Sequence, residues 1–336
     1  MRWFIWVLAL VLFACTKAER SSATDEFVIA FSSCLNQRYD SSYWATIGEA
    51  RPALFLFTGD TVYADTLDLN VKRAAFAGLK REPHYRKFRQ NTRIIAVWDD
   101  HDYGYNDAGG SYRHKRAMQK IFLDAFDEPI NSPRRAREGI YTSEELALKG
   151  KIIQIIVLDA RYFRSNWIYG ERIPPYSRTY REDSREISTM LGETQWQWLK
   201  GEAQKRADLR ILVSSTPVLS DDYKGERWGA FPRERARLYE AMRSAGGKWL
   251  IVTGDRHFGQ ISELTGVLPY PLVEVMASGM NTVWEDGAKE TDRYRVGATV
   301  ADINFGLLRI DAKAGHVAYS VHDGSGLARL TGAMKF

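Results

Sequence analysis

Five short apolar runs, none broken by a charge and each ending in a polar or ionisable group, constrain this chain more than any other feature. Phe27–Phe31 leads into Ser32, Ser33 and Cys34, and Ala53–Phe57 leads into Thr58-Gly59-Asp60-Thr61-Val62-Tyr63. Ile94–Trp98 runs into Asp99-Asp100-His101-Asp102, and Ile152–Leu158 into Asp159-Ala160-Arg161. Trp249–Val252 ends in Thr253-Gly254-Asp255-Arg256-His257. Continuous apolar runs of this length read as strands buried on both faces.

Helical periodicity fills the intervals. Tyr112–Phe126 places Met118, Ile121, Phe122 and Phe126 on one face, Glu193–Arg206 carries Trp196 and Leu199, and Arg233–Ala245 carries Leu238 and Met242. Alternating strands and helices predict a layered α/β domain, in which ligands bind beyond the carboxyl ends of the strands. The groups that end the runs are therefore expected to converge. Toward the C-terminus, Leu272–Met276 reads as a strand. Phe305–Asp311, the turn Ala312–Gly315 and His316–Val321 read as a hairpin expected to close a second sheet. Asn166–Met190, rich in Arg, Tyr, Pro and Ser, is expected to run over the surface, either as a functional loop or as a passive insertion.

The N-terminus follows other rules. Trp3–Ala14 is an unbroken run of twelve apolar residues after the single charge of Arg2. A membrane-spanning helix needs ~20 such residues, and a signal-peptide core about 7–15. Leu12-Phe13-Ala14-Cys15 is similar to a bacterial lipobox, which predicts a lipoprotein signal peptide over residues 1–14, lipidation of Cys15 and a polar tether over residues 15–26. The alternative is an uncleaved signal anchor. The expected localisation is an exported, membrane-anchored lipoprotein facing the periplasm or the cell exterior. With only two cysteines there is no disulfide framework, and acylation of Cys15 leaves Cys34 unpaired in an oxidising compartment. Such a thiol is either buried and inert or engaged in metal chemistry. The net charge of +5 is too small and dispersed to predict a nucleic-acid surface.

Asp60, Asp100, Asp102 and Asp255 raise one another's pKa if they lie together, and a polynuclear metal centre resolves that repulsion. Cys34 as thiolate, Tyr63 as phenolate, carboxylates and the imidazole of His257 form a mixed ligand set. Oxygen suits hard cations, while anionic sulfur and phenolate favour a transition metal. Bound metal lowers the pKa of water and polarises a phosphoryl oxygen. His101 is the expected acid for a departing oxygen, with Asp102 orienting it. His84, His114, His316 and His322 read as surface or structural. The chain has no Gly-x-Ser-x-Gly elbow, P-loop, dinucleotide fingerprint or His-Glu-x-x-His element.

Ser33-Cys34, Gly59-Asp60-x-x-Tyr63, Trp98-Asp99-Asp100-His101-Asp102, Leu158-Asp159-x-Arg161 and Gly254-Asp255-x-His257 together resemble the motifs of the PhoD family of alkaline phosphatases and phosphodiesterases, in the family's order. Asn106-Asp107 follows the third motif as in many members. The resemblance implies a calcineurin-like metallophosphoesterase domain over residues 27–336, an αββα sandwich of two sheets flanked by helices. It implies iron held by Cys34, Asp60, Tyr63 and Asp255, with Asp60 bridging to calcium sites to which Asp100 and His257 contribute. It also implies a phosphate ester substrate, with Asn106 and Arg161 as candidate substrate contacts, although Arg161 is equally a candidate structural partner of Asp159. The competing expectation is an envelope lipoprotein that keeps the fold as a non-catalytic binding module.

Overall fold

The computed structural model describes residues 26–174, 176 and 178–336. The leader, Cys15 and residues 15–25 of the tether lie outside the described residues. The strands are β1 (Phe27–Ser32), β2 (Leu54–Thr58), β3 (Arg93–Val97), β4 (Thr142–Leu148) and β5 (Lys151–Val157). They continue with β6 (Ile168–Tyr169), β7 (Tyr180–Arg181), β8 (Leu209–Ser214), β9 (Lys248–Thr253) and β10 (Gly259–Leu264). The last four are β11 (Leu272–Ala277), β12 (Asn304–Asp311), β13 (His316–Asp323) and β14 (Ala328–Lys335).

Two six-stranded sheets result, ordered β14-β13-β12-β1-β2-β3 and β10-β11-β9-β8-β5-β4. The first is parallel where β1, β2 and β3 pair, the second where β5, β8, β9 and β11 pair. The predicted α/β sandwich is what forms. Parallel strands need crossovers, and helices supply them: Leu69–Arg81 and Pro83–Phe88 lie between β2 and β3, Gly192–Ala203 between β5 and β8, and Pro232–Ala245 between β8 and β9. The periodic segment Tyr112–Phe126 is helical over Lys115–Ala125.

One core fills the space between the sheets and under the first helical layer, joining Ile29, Phe55, Phe57, Ile155, Val213 and Val275. A second covers the outer face of the second sheet, where Trp196, Leu199, Leu238 and Met242 pack on Ile156, Leu212 and Ile251. Both faces of β5 are thus buried, which is why its sequence reads as a nearly unbroken apolar run.

The C-terminal hairpin departs from expectation. β12 pairs antiparallel with β1, so β12, β13 and β14 extend the first sheet and do not close a second one. A hairpin can add to either sheet, and its internal pattern carries no information about its neighbour. Its turn is the one expected, with Gly315 at φ 64°.

Glu274 on β11 ties the second sheet together. Its buried carboxyl accepts from Thr253 Oγ1 (2.6 Å) and from the backbone N–H of Leu219 (2.6 Å). Burial pushes its pKa up to about 7 despite these donors. A raised acid adds stability that is complete below its unfolded pKa and disappears as pH rises through the folded one. In chelator, urea midpoints of the wild-type protein are expected to fall between pH 5 and 8, and Glu274→Gln should flatten that fall. Identical slopes in the two proteins would refute the assignment.

Candidate functional site

The site is assembled where the carboxyl ends of both sheets meet. Cys34 follows β1, Asp60 and Tyr63 follow β2, and Asp99–Asp102 follow β3. Asp255 and His257 follow β9. Cys34 (φ 61°), Asp60 (48°), Asp255 (77°) and His257 (59°) all adopt left-handed backbone, a costly conformation for such residues that the surrounding structure must enforce. The turns need their glycines. A Cβ on Gly59 would lie 2.6 Å from the Cβ of Asp99, and one on Gly254 would lie 2.6 Å from the carbonyl oxygen of Thr58. The two Gly-Asp turns, one from each sheet, approach too closely for any side chain at the glycine.

The ionisable groups form three linked clusters, each with ligand atoms within 4.8 Å of one another: Cys34–Asp60–His257, Asp60–Asp100–His101 and Asp99–Asp100–Glu226–Asp255. Asp60 belongs to two. Its Oδ2 faces the Cys34 sulfur (3.7 Å) and the Tyr63 hydroxyl (3.2 Å), while Oδ1 accepts from the backbone N–H of His101 (3.4 Å). His257 Nδ1 meets the Thr282 carbonyl at 2.9 Å, which places the proton on Nδ1 and leaves Nε2 3.4 Å from the Tyr63 hydroxyl. Cys34 is fully buried beside Ser278 Oγ (3.3 Å).

The resemblance implies Asp255 among the iron ligands and His257 among the calcium sites. His257 groups with Cys34 and Asp60 and lies 3.4 Å from the Tyr63 hydroxyl, and Asp255 groups with Asp99, Asp100 and Glu226. The carbonyl grip on Nδ1 turns the imidazole toward Tyr63. Spacing within a four-residue turn does not reveal such a grip.

Two sequence expectations need correction. Arg161 is fully buried and does not reach the cavity. Its Nε donates to Asp99 (2.5 Å), and its two terminal nitrogens hold Glu226 in a fork at 2.5 and 2.6 Å. Asp99 and Glu226, not Asp159, hold the guanidinium. Asp159 instead accepts from Trp98 Nε1 and from the backbone of Ile140, Arg161 and Tyr162. Asp102 does not touch His101. It accepts from Thr61 N and Oγ1 (both 2.9 Å) and from Asp99 N (2.7 Å), locking the start of the helix Asp100–Tyr103 to the loop after β2. Asp65 is the group on His101 Nδ1, with both oxygens at 2.8 Å. Behind this turn the buried Lys72 ammonium donates to the carbonyls of His101 (3.0 Å) and Asp102 (3.4 Å).

A family model for PhoD-like phosphatases matches residues 29–300. The chain belongs to that family. The solved structure described as "Structure of PhoD" superposes with a TM-score of 0.71 at 15% identity, covering 92% of this chain and 68% of that one, and shows the shared fold. A 5'-nucleotidase precursor from Thermus thermophilus is 13% identical over 92% of this chain and 54% of its own, with a TM-score of 0.39. No curated protein matches the chain. As a PhoD-like phosphatase, the protein is a metal-dependent phosphoester hydrolase.

The donor set of this PhoD-like site fits metal ions. Burial raises Asp60 and Asp255 well above the ordinary carboxyl range, and raises Asp99 to about 6 against the pull of Arg161. Burial also raises the Cys34 thiol and the Tyr63 phenol. Asp99 Oδ2 is buried without a hydrogen-bond partner. Arg161 and Arg164 meet Glu226, and Arg161 meets Asp99, but neither pairs with Asp255 or with Asp99 Oδ2, so bound cations would complete the charge balance. Burial depresses the His257 imidazole, keeping it neutral as a ligand must be. Burial alone would lower His101 too, but Asp100, Asp60 and Asp65 carry it up to about 11.

Asp60, Asp100, His101, Glu226, Asp255 and His257 face a cavity of about 310 Å³. Asn106 lines its mouth as an exposed amide, and the next residue, Asp107, donates its backbone N–H to Asp100 (2.6 Å). The excursion Asn166–Met190 forms part of the wall through Tyr176, Arg178 and Tyr180. It is tied down by Trp167 Nε1 on Glu226 (2.5 Å) and by Tyr180 N on the Lys224 carbonyl (2.9 Å). Of the expected structural histidines, His322 stacks on Phe305 and is bonded to Ser320 and Gly326. Sequence reasoning missed Asp65, Glu226 and Trp284. Asp65 lies two residues after Tyr63 and was readable from the same loop, whereas Glu226 and Trp284 follow no apolar run.

Removing a buried cation from its carboxylates costs about 3–5 kcal/mol. Arg161→Leu is therefore expected to lower the unfolding free energy by about that amount, read from urea melts. A mere loss of substrate affinity, with stability unchanged, would contradict the scaffolding role.

Proposed function

We propose that the protein hydrolyses phosphate esters outside the cytoplasm, anchored through Cys15, with iron and calcium as its metals. The observation that carries this reading is the double membership of Asp60, which stands with Cys34 and His257 in one cluster and with Asp100 and His101 in another, Asp100 in turn linking it to Asp99, Glu226 and Asp255. Cys34, Tyr63 and His257 beside Asp60 form a sulfur, phenolate and imidazole set suited to iron. Asp100, Asp99, Glu226 and Asp255 form an all-oxygen set suited to calcium. Bound there, the metals supply positive charge for a phosphoryl group and acidify water at neutral pH.

The chain's own residues do the rest. Neutralising Asp60 and Asp100 removes much of the field that keeps His101 protonated, which brings its pKa down toward the range useful for proton transfer. Nε2 of His101 is the atom left free to protonate a leaving oxygen, because Asp65 holds Nδ1. Asp65 is thus a positioning residue. Asn106 at the mouth offers its amide to a phosphoryl oxygen. The non-catalytic alternative predicts an eroded site, and the intact donor set speaks against it.

Asp60→Asn, made in a protein lacking residues 1–15, is expected to abolish both metal retention and ester hydrolysis, measured by elemental analysis and phosphate release. Unchanged metal and activity would end the proposal. Iron ligation by Tyr63 predicts a visible absorption band that Tyr63→Phe removes.

An acid is needed most by a poor leaving group. His101→Gln should therefore slow alkyl phosphate esters by about 10²-fold or more, while 4-nitrophenyl esters suffer roughly tenfold less. Asp65→Asn should show the same dependence at smaller size. Equal losses on both ester types would remove His101 from the acid role.

A further inference from the structure

The part of the cavity wall that carries no ligand has an unusual composition. It is built by Tyr176, Arg178, Tyr180, Tyr223 and Trp284 together with Asn106, Asp107 and Gly225, and no aliphatic side chain lines the cavity among the described residues. Aliphatic linings suit acyl chains. A wall of rings suits planar groups, which it contacts face or edge at small entropic cost. The rings form a continuous corner. Tyr176 stands edge-on to Trp284, with centroids 5.5 Å apart at 78°, and packs on Tyr223 at 5.6 Å.

The corner is also held in register with the metal-ligand set. Trp284 donates its backbone N–H to the His257 carbonyl (3.0 Å), and His257 Nδ1 meets Thr282 two residues before Trp284. Tyr223 is buttressed by the guanidinium of Arg256, which is itself paired with Glu290 at 2.9 Å. A cavity of about 310 Å³ is larger than a bare phosphate requires and lies at the small end of ligand pockets, ~300–1,000 Å³.

We propose that Trp284, Tyr176 and Tyr223 form a specificity subsite for a planar aromatic ring in the group esterified to the phosphorus. The assignment deepens the phosphoesterase reading and rests on it. The ring belongs to a nucleoside or to an aryl group, and the two sources share the same recognition chemistry.

The test uses matched esters with the same primary-alcohol linkage, so that leaving-group chemistry is constant. Adenosine 5'-monophosphate is compared with ribose 5-phosphate, and benzyl phosphate with cyclohexylmethyl phosphate, each as monoester and as methyl diester. The readout is the ratio of kcat/KM within a pair. A partly unfolded variant lowers both members equally, so the ratio is insensitive to folding defects. Wild-type protein is expected to favour the planar member of at least one pair by about tenfold, the size of a single ring-stacking contact. A preference in the first pair alone identifies a nucleoside, and one in the second an aryl group. Trp284→Ala and Tyr176→Ala should bring the ratio toward one, and Trp284→Phe should retain most of it. A wild-type ratio near one overturns the subsite, and so does a high ratio that both alanine variants keep. Absence of turnover on every ester overturns the phosphoesterase reading itself and takes the subsite with it.

Discussion

The fold gathers more buried negative charge in one place than its own cations balance. Asp60, Asp99, Asp100, Glu226 and Asp255 come from loops after four different strands and from both sheets. Enclosing an ionised carboxylate costs several kcal/mol unless a partner compensates. Arg161 meets Asp99 and Glu226 directly, and His101 meets Asp65, but neither reaches Asp255 or the outer oxygen of Asp99. The arrangement makes physical sense as a receptacle for cations. Its left-handed turns and close-approach glycines are the backbone cost of aiming these groups inward.

The parts of this arrangement legible in the sequence are those on which burial and chemistry act together. β1, β2, β5 and β9 are buried along most of their length and β3 at its carboxyl end, so they read as apolar runs, and the residues that end them stand out against that background. Cys34, Asp60, Asp100 and His257 are singled out in this way, and the structure brings them together in linked clusters. What failed was partnership. Asp102 and Arg161 stand in the right motifs, but whether a carboxylate faces an imidazole or a backbone N–H depends on side-chain direction. The strand pattern does not encode that direction. β4, β10 and β14 expose alternate residues or lie at sheet edges, which breaks the apolar signal, and β8 hides an arginine within its run. The C-terminal hairpin was visible as a hairpin, whereas its docking on β1 is a long-range choice between two available edges.

Division of labour within the site follows from how each wall is anchored. The ionisable floor follows the parallel strands β1, β2, β3 and β9, with Lys72, Asp102 and Asp159 satisfying backbone groups from behind. The outer wall hangs from the excursion Asn166–Met190 and the segment after β11. It touches the floor through a few contacts, Trp167 on Glu226 and Trp284 on His257 among them. Apart from Trp167, whose ring nitrogen bonds Glu226, these loops can change their side chains with little effect on the groups below, and that is where selectivity is free to vary.

The same anchoring couples electrostatics to geometry. Glu226 holds Arg161 in a bidentate fork, receives Trp167 from the outer wall and lies within ligand distance of Asp255. A single carboxylate therefore joins the buried cation, the selecting wall and the acidic cluster. Any ion drawn to Asp99, Asp100 and Asp255 competes with Arg161 for the charge of Glu226, and loosening that fork would be felt at Trp167. Charge balance on the floor and the position of the wall are consequently not independent variables in this fold, even though they are built from segments far apart in the chain.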